Sequence, residues 1–171
     1  MDLTKKIIIS MVFFGLANAI HAQQKDTNCR YTKTASGYLM VLREGDDVIA
    51  SIENLAKEKQ IPSGNFTGIG FAQEATFGFF DFNEKKFHPK TFYKVEMGSL
   101  TGSIAWEGAK PSLHIHGVGT NDKFEANGGH ILSLKVGTGS MEIYITTNPD
   151  KLERKMEMPL GANVLQLSCF K

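Results

Sequence analysis

Apolar and polar positions alternate through most of the chain, and the alternation is interrupted at short intervals by glycine, proline or Asn/Asp clusters. A period of two with such punctuation predicts strands, here over residues 38–42, 64–71, 74–81, 86–93, 95–106, 112–118, 130–136, 140–146 and 164–169. One segment has a different period. Val48, Ile49, Ile52, Leu55 and Ala56 recur at helical spacing through Lys59, directly after Arg43-Glu44-Gly45-Asp46-Asp47, a turn whose aspartates can cap a helix. Asn148-Pro149-Asp150 ends the sheet pattern, and residues 151–158 read either as a helical turn or as an edge strand. Short glycine and Asn-Glu turns favour antiparallel neighbours. A helix between strands followed by a meander predicts an α+β fold, a mixed, mainly antiparallel sheet with one main helix. No internal repeat is visible.

The N-terminus changes the picture. Two lysines lie within residues 2–6, the run 7–20 is almost wholly apolar, and small residues precede the polar Gln23-Gln24-Lys25-Asp26. That run is short for a membrane span and has the layout of a secretory leader, with cleavage expected after Ala22. An uncleaved N-terminal anchor is the alternative. Cleavage places the protein in the periplasm or outside the cell, with no stable membrane anchor, and leaves residues 23–37 as an N-terminal extension. The remaining length suits one domain with its own core.

The leader removes Lys5, Lys6 and Asp2 from 19 basic and 18 acidic residues, leaving 17 of each. A duplex-binding surface neutralises phosphates and normally shows a basic excess; none is present, so nucleic acid is not an expected partner. Cys29 and Cys169 stand near opposite ends of the chain. An oxidising compartment permits their pairing, and two separate thiols are equally compatible with the sequence.

The candidate chemistry is in histidine. In Ser112-Leu113-His114-Ile115-His116-Gly117-Val118 the side chains alternate faces, so Leu113 and Ile115 point one way and His114 and His116 the other. The two imidazoles then stand about 6–7 Å apart, near enough to share an ion. A polar stretch leads to Gly128-Gly129-His130. In a hairpin register that sets His116 opposite His130 and His114 opposite Leu132, the third ring joins the same face. The paired glycines permit close backbone approach or a positive φ. Neutral imidazoles suit a divalent metal, zinc first, with iron, copper or nickel also compatible. Three ligands leave one coordination place for water, substrate or a fourth ligand, for which Glu125 and Glu74 are the acidic candidates. The plain alternative is a polar strand face, with His130 packed at a turn.

Other motifs carry less. Gly68-Ile69-Gly70-Phe71-Ala72-Gln73 opens onto more strand rather than a phosphate-binding helix. Ser112 has no nucleophile elbow around it. Phe77, Phe79, Phe80, Phe82, Phe87, Phe92 and Tyr93 form an aromatic cluster that is either core or an oligomer interface.

Leu42-Arg43-Glu44-Gly45-Asp46-Asp47, Gly68-Ile69-Gly70, Leu100-Thr101-Gly102-Ser103-Ile104, Pro111-Ser112-Leu113-His114-Ile115-His116 and Gly128-Gly129-His130 together resemble the PPC (plants and prokaryotes) domain. The likeness covers the chain from about Tyr38 to Cys169, and residues 38–171 are assigned to a PPC-like domain. It implies a compact α+β fold assembled as a homotrimer, His114, His116 and His130 able to hold a metal such as zinc, and kinship of fold with acetolactate decarboxylase. Plant members accompany AT-hook segments and are tied to DNA binding and partner recruitment. This chain has no Arg-Gly-Arg-Pro core and carries an export leader. Two functions therefore follow as expectations: a metal-dependent enzyme acting on a small oxygenated substrate, or a non-catalytic trimeric binding module.

Overall fold

Eight strands and one helix make up the computed structural model, which describes residues 28–167. The expected leader, its cut after Ala22, and Cys169 lie outside the described residues. The strands are β1 (Tyr31–Lys33), β2 (Gly37–Arg43), β3 (Ser63–Asp81), β4 (Lys86–Glu107), β5 (Lys110–Thr120), β6 (Ala126–Asn148), β7 (Glu153–Glu157) and β8 (Ala162–Gln166), with helix α1 (Val48–Glu58) between β2 and β3. Their order in the sheet is β1-β2-β6-β3-β4-β7-β8, and β5 pairs with both β4 and β6. The pairings β3–β4–β5–β6–β3 therefore close on themselves. All are antiparallel except the single Trp106–Glu153 register of β4 with β7.

The α+β expectation is overturned. Strand accounts for 69% of the described residues and helix for 8%, so the fold is mainly β with one short helix. The reason is in the long strands. β3, β4 and β6 run for 19, 22 and 23 residues, where a typical strand has about 5–6. Segments expected as separate strands are halves of one. The register slips between Gly68 and Gly70, between Gly70 and Ala72, and between Met97 and Ser99. At these points glycines bend a strand by bulging instead of ending it.

The helix forms where its period indicates. Asp47 is its N-cap, its side chain accepting from the Ala50 N–H at 2.9 Å. Val48, Ile52, Leu55 and Ala56 are buried, in one cluster with Leu42 and Met40 of β2, Met97, Leu100 and Ile104 of β4, Ile115 of β5, and Leu134, Met141, Ile143 and Ile145 of β6. The helix thus shares the one core cluster with the sheet.

Strand β1 is an element the periodicity does not indicate; it pairs with β2, and Arg30 bonds Asp46 at 2.6 Å. Within 151–158, residues 153–157 form strand β7, which lies between β4 and β8 and not at the sheet edge, tied back by the Trp106 N–H donating to the Leu152 carbonyl at 2.9 Å. Cys29 is exposed, its thiol donating to the Tyr31 carbonyl. Among the described residues no helix is long and apolar enough to cross a membrane.

Candidate metal centre

Strand β5 presents its two faces as the alternation predicts. Ile115 is buried in the core, while His114 and His116 lie on the exposed face. β6 approaches with His130 directly opposite His116 in the antiparallel register. Pairing of β5 with β6 ends there, so the expected His114–Leu132 pair does not form; β6 continues along β3, with Gly78 beside His130 and Phe77 beside Ile131. The two glycines before His130 have separate uses. A Cβ on Gly128 would lie 2.5 Å from the Gly117 carbonyl oxygen, so this residue lets the strands come together. Gly129 has a φ of +152°, which a side chain would disfavour.

The three rings form a nearly equilateral triangle. Centroids are 5.1 Å apart for His114 and His116, and 5.2 Å apart for His130 with either of them. Nε2 of His114 and Nε2 of His116 are 3.1 Å apart, and one candidate ligand nitrogen from each ring lies within 4.8 Å of the others. Tetrahedral zinc with bonds of about 2.0–2.1 Å holds neighbouring nitrogens about 3.3–3.4 Å apart. One pair is already close to that spacing, and the candidate nitrogen of His130 lies within 4.8 Å of the other two. The donor set and spacing fit a divalent metal.

The sequence candidates for a fourth ligand are not brought into this cluster. Glu74 pairs with Lys135, four residues along β3 from the Gly78–His130 level, or about 13 Å of strand. Glu125 is in the β5–β6 connection, where it accepts from Asn121 at 2.7 Å. A second cluster, Asp81, Glu84 and His88, is at the β3–β4 turn. There Asp81 accepts from the Asn83 and Glu84 N–H groups, which accounts for it as turn chemistry.

The triad opens onto a cavity of about 640 Å3, within the size range of small-molecule sites. Phe87 stacks on His130 at 4.8 Å, and Phe80 packs against both Phe87 and Phe82 at 5.0 Å. The aromatic cluster of the sequence therefore divides. Phe77 is core, Phe79, Phe80, Phe82 and Phe87 line the cavity, Phe79 and Phe82 with much of their surface exposed, and Tyr93 is exposed.

Arg154, from β7, completes the wall and is not signalled by the sequence. β7 reads Glu-Arg-Lys-Met-Glu, with no apolar period to mark an inward position. Yet Arg154 is 5% exposed. Its Nη2 donates to Ser103 Oγ at 2.6 Å and its Nε to the Ser112 carbonyl at 3.5 Å; Ser103 is the cross-strand partner of His114.

Burial first, and then the neighbouring His114, His116 and Arg154, depress the His130 pKa from 6.5 to about 4. His114 is lowered too, by partial enclosure, Arg154 and His116 in that order. Each effect favours the neutral imidazole, which is the form that binds metal.

The fold and site together define a mainly β protein with a histidine triad at the mouth of an aromatic-lined cavity. Residues 29–149 match the model of the Plants and Prokaryotes Conserved (PCC) domain, the PPC domain of the sequence resemblance. The chain belongs to this family. A solved protein from Ralstonia eutropha JMP134, to which DNA binding has been ascribed only provisionally, is 54% identical, with a TM-score of 0.79 over 81% of this chain and 96% of that one. A metal-containing protein from Archaeoglobus fulgidus is 27% identical, with a TM-score of 0.69 over 75% of this chain and 91% of that one. Acetolactate decarboxylase from Bacillus subtilis subspecies spizizenii shares the fold at 10% identity, with a TM-score of 0.51 over 71% and 55% of the respective chains. No match is found among the curated proteins.

Proposed function

We propose that His114, His116 and His130 hold one divalent metal ion, zinc first, in an exported homotrimeric enzyme that acts on a small oxygenated substrate. The observation that carries this reading is the triangle of rings, with centroids 5.1–5.2 Å apart, opening onto a substrate-sized cavity. A bound ion would supply Lewis acidity toward a substrate oxygen. The chain's own residues prepare the place. The core position of Ile115 fixes which face of β5 carries the histidines, Phe87 holds the plane of the His130 ring and excludes water from one side of it, and burial keeps that imidazole unprotonated at neutral pH. The metal-containing Archaeoglobus relative supports the assignment. The apolar run 7–20 supports export, and exposed Phe79, Tyr93 and Phe124 support self-association.

A second reading, a non-catalytic module that binds DNA or recruits partners, rests on the role provisionally given to the Ralstonia protein. A formal net charge of only +1 offers it little electrostatic affinity.

Metal analysis of protein purified without a histidine tag tests the proposal. About one ion per chain is expected, with loss of it in His116→Ala; no stoichiometric metal, or the same content in the variant, sinks the site. With metal present, esters, lactones, and 2-oxo and 2-hydroxy acids assayed against His130→Ala separate catalysis from scaffolding. Turnover that disappears in the variant supports an enzyme.

A further inference from the structure

Only two polar or charged side chains are buried among the described residues, Ser63 and Arg154. Ser63 is accounted for, its hydroxyl donating to the Asp150 carbonyl at 2.6 Å. Arg154 is not. A guanidinium has five N–H groups, and two of these have acceptors here, Ser103 Oγ and the Ser112 carbonyl. Neither acceptor is charged. Among the described residues no carboxylate is within 4 Å of Arg154. Burying a charge without a counter-charge is costly, and folded proteins rarely leave it so.

The unused N–H groups are not sealed in protein. The one fully enclosed side-chain atom without a partner among the described residues is Asn163 Oδ1, so the free side of the fork faces the cavity that Arg154 lines with the three histidines. No aspartate or glutamate lines that cavity. The rest of the wall is largely apolar, with Phe80, Phe82, Phe87, Leu113 and Met156. A positively charged fork, an apolar wall and no acid define what fits. An inorganic anion would satisfy the fork but leave the aromatic wall uncovered, and a neutral apolar molecule would do the reverse.

We propose that Arg154 is the anion-binding residue of the cavity, receiving the carboxylate of a small organic acid whose apolar body lies against Phe80 and Phe87, beside the three histidines. A carboxylate matches the planar fork with two parallel hydrogen bonds. As the identity of the molecule acted on at the histidine site, this rests on the metal reading; as an anion subsite it stands without the metal. Arg154 contributes binding and orientation, and the reacting atoms are left to the histidine end of the cavity.

Benzoate serves as the probe and benzyl alcohol as its neutral counterpart. Both are titrated calorimetrically into full-length mature protein stripped of metal with EDTA, and again after zinc is added. Charge-assisted hydrogen bonds of about 1.5–3 kcal/mol correspond to about ten- to a hundredfold in affinity. Arg154→Gln is therefore expected to weaken benzoate by at least about tenfold and leave benzyl alcohol unchanged, with Arg154→Lys in between. In the wild-type protein the Arg154 Nε–H resonance is expected to shift on adding benzoate. That measurement needs no variant to fold. Equal benzoate affinity in wild type and Arg154→Gln, or an Nε–H resonance that does not move, overturns the proposal. Inorganic phosphate binding as tightly as benzoate also overturns it, since the apolar wall would then contribute nothing. Failure to bind zinc with benzoate binding intact removes the metal reading alone; zinc binding with no Arg154 dependence of benzoate removes the anion subsite alone.

Discussion

In the metal-free protein His130 should remain a free base well below the pH at which an ordinary histidine protonates. Its pKa is lowered from 6.5 to about 4, first by burial and then by His114, His116 and Arg154. At pH 5.5 the ring would be about 3% protonated, against about 91% for an unperturbed histidine. The consequence for stability has a definite sign. Between the two values the unfolded chain binds a proton that the folded chain refuses, so acidification favours unfolding. The contribution is fully present above pH 6.5 and is lost as pH falls from 6.5 through about 4. Each pH unit is ~1.36 kcal/mol, so the gap from 6.5 to about 4 would amount to ~3.4 kcal/mol for an enclosed ring. His130 is only half-buried, and solvent screening reduces this to about 1–2 kcal/mol. The assay is a ring-proton NMR titration of EDTA-treated protein, with urea melts at pH 7, 5.5 and 4.5 alongside. His130→Gln should flatten the loss of stability over that window, and Phe87→Ala, which uncovers one ring face, should return the His130 pKa toward 6.5. A wild-type His130 that titrates at 6.5 or above would refute the reasoning, as would an unchanged pH slope in His130→Gln.

Two further outcomes follow from the elements around the site. Gly128→Ala puts a Cβ 2.5 Å from the Gly117 carbonyl oxygen, forcing β5 and β6 apart at a cost of about 1–3 kcal/mol; calorimetric zinc affinity should fall by about tenfold or more, and unchanged affinity would show that the His116–His130 spacing does not depend on that approach. Asp47→Ala removes the helix cap and should lower stability in urea by about 1 kcal/mol, with metal content unaltered, because the helix packs on the core side of β5 and the histidines occupy the other; loss of metal here would contradict that separation.

The parts of the molecule legible in the sequence are those where one local rule acts without competition. The helix is one, because Asp47 caps it and Val48, Ile52, Leu55 and Ala56 keep their spacing down to the core. The face assignment of β5 is another: Ile115 has to be buried, and a period of two then fixes His114 and His116. The His116–His130 register was also legible, since the Gly-Gly pair allows the strands to meet there. Strand lengths were not. A glycine at a bulge and a glycine at a turn look alike in sequence, and only pairing on both sides decides which is meant. β3 has β4 on one side and β6 on the other across Gly70, so leaving the sheet there would forfeit two ladders of backbone hydrogen bonds. That is why a meander of short strands became three long bent ones, and a fold expected as α+β became mainly β.

Arg154 is the sharper case. Nothing in Glu-Arg-Lys-Met-Glu separates a buried arginine from its exposed neighbours, because its burial is imposed from elsewhere. The Trp106–Leu152 hydrogen bond brings β7 alongside β4, and Ser103, whose hydroxyl accepts from Arg154, belongs to β4 opposite His114. A residue 24 to 40 positions from the histidines is thus placed beside them by the sheet order alone. The histidines could be found by spacing because they lie on strands that neighbour each other in sequence. The charge that would select what binds beside them comes from a strand whose place is set only when the whole sheet is assembled.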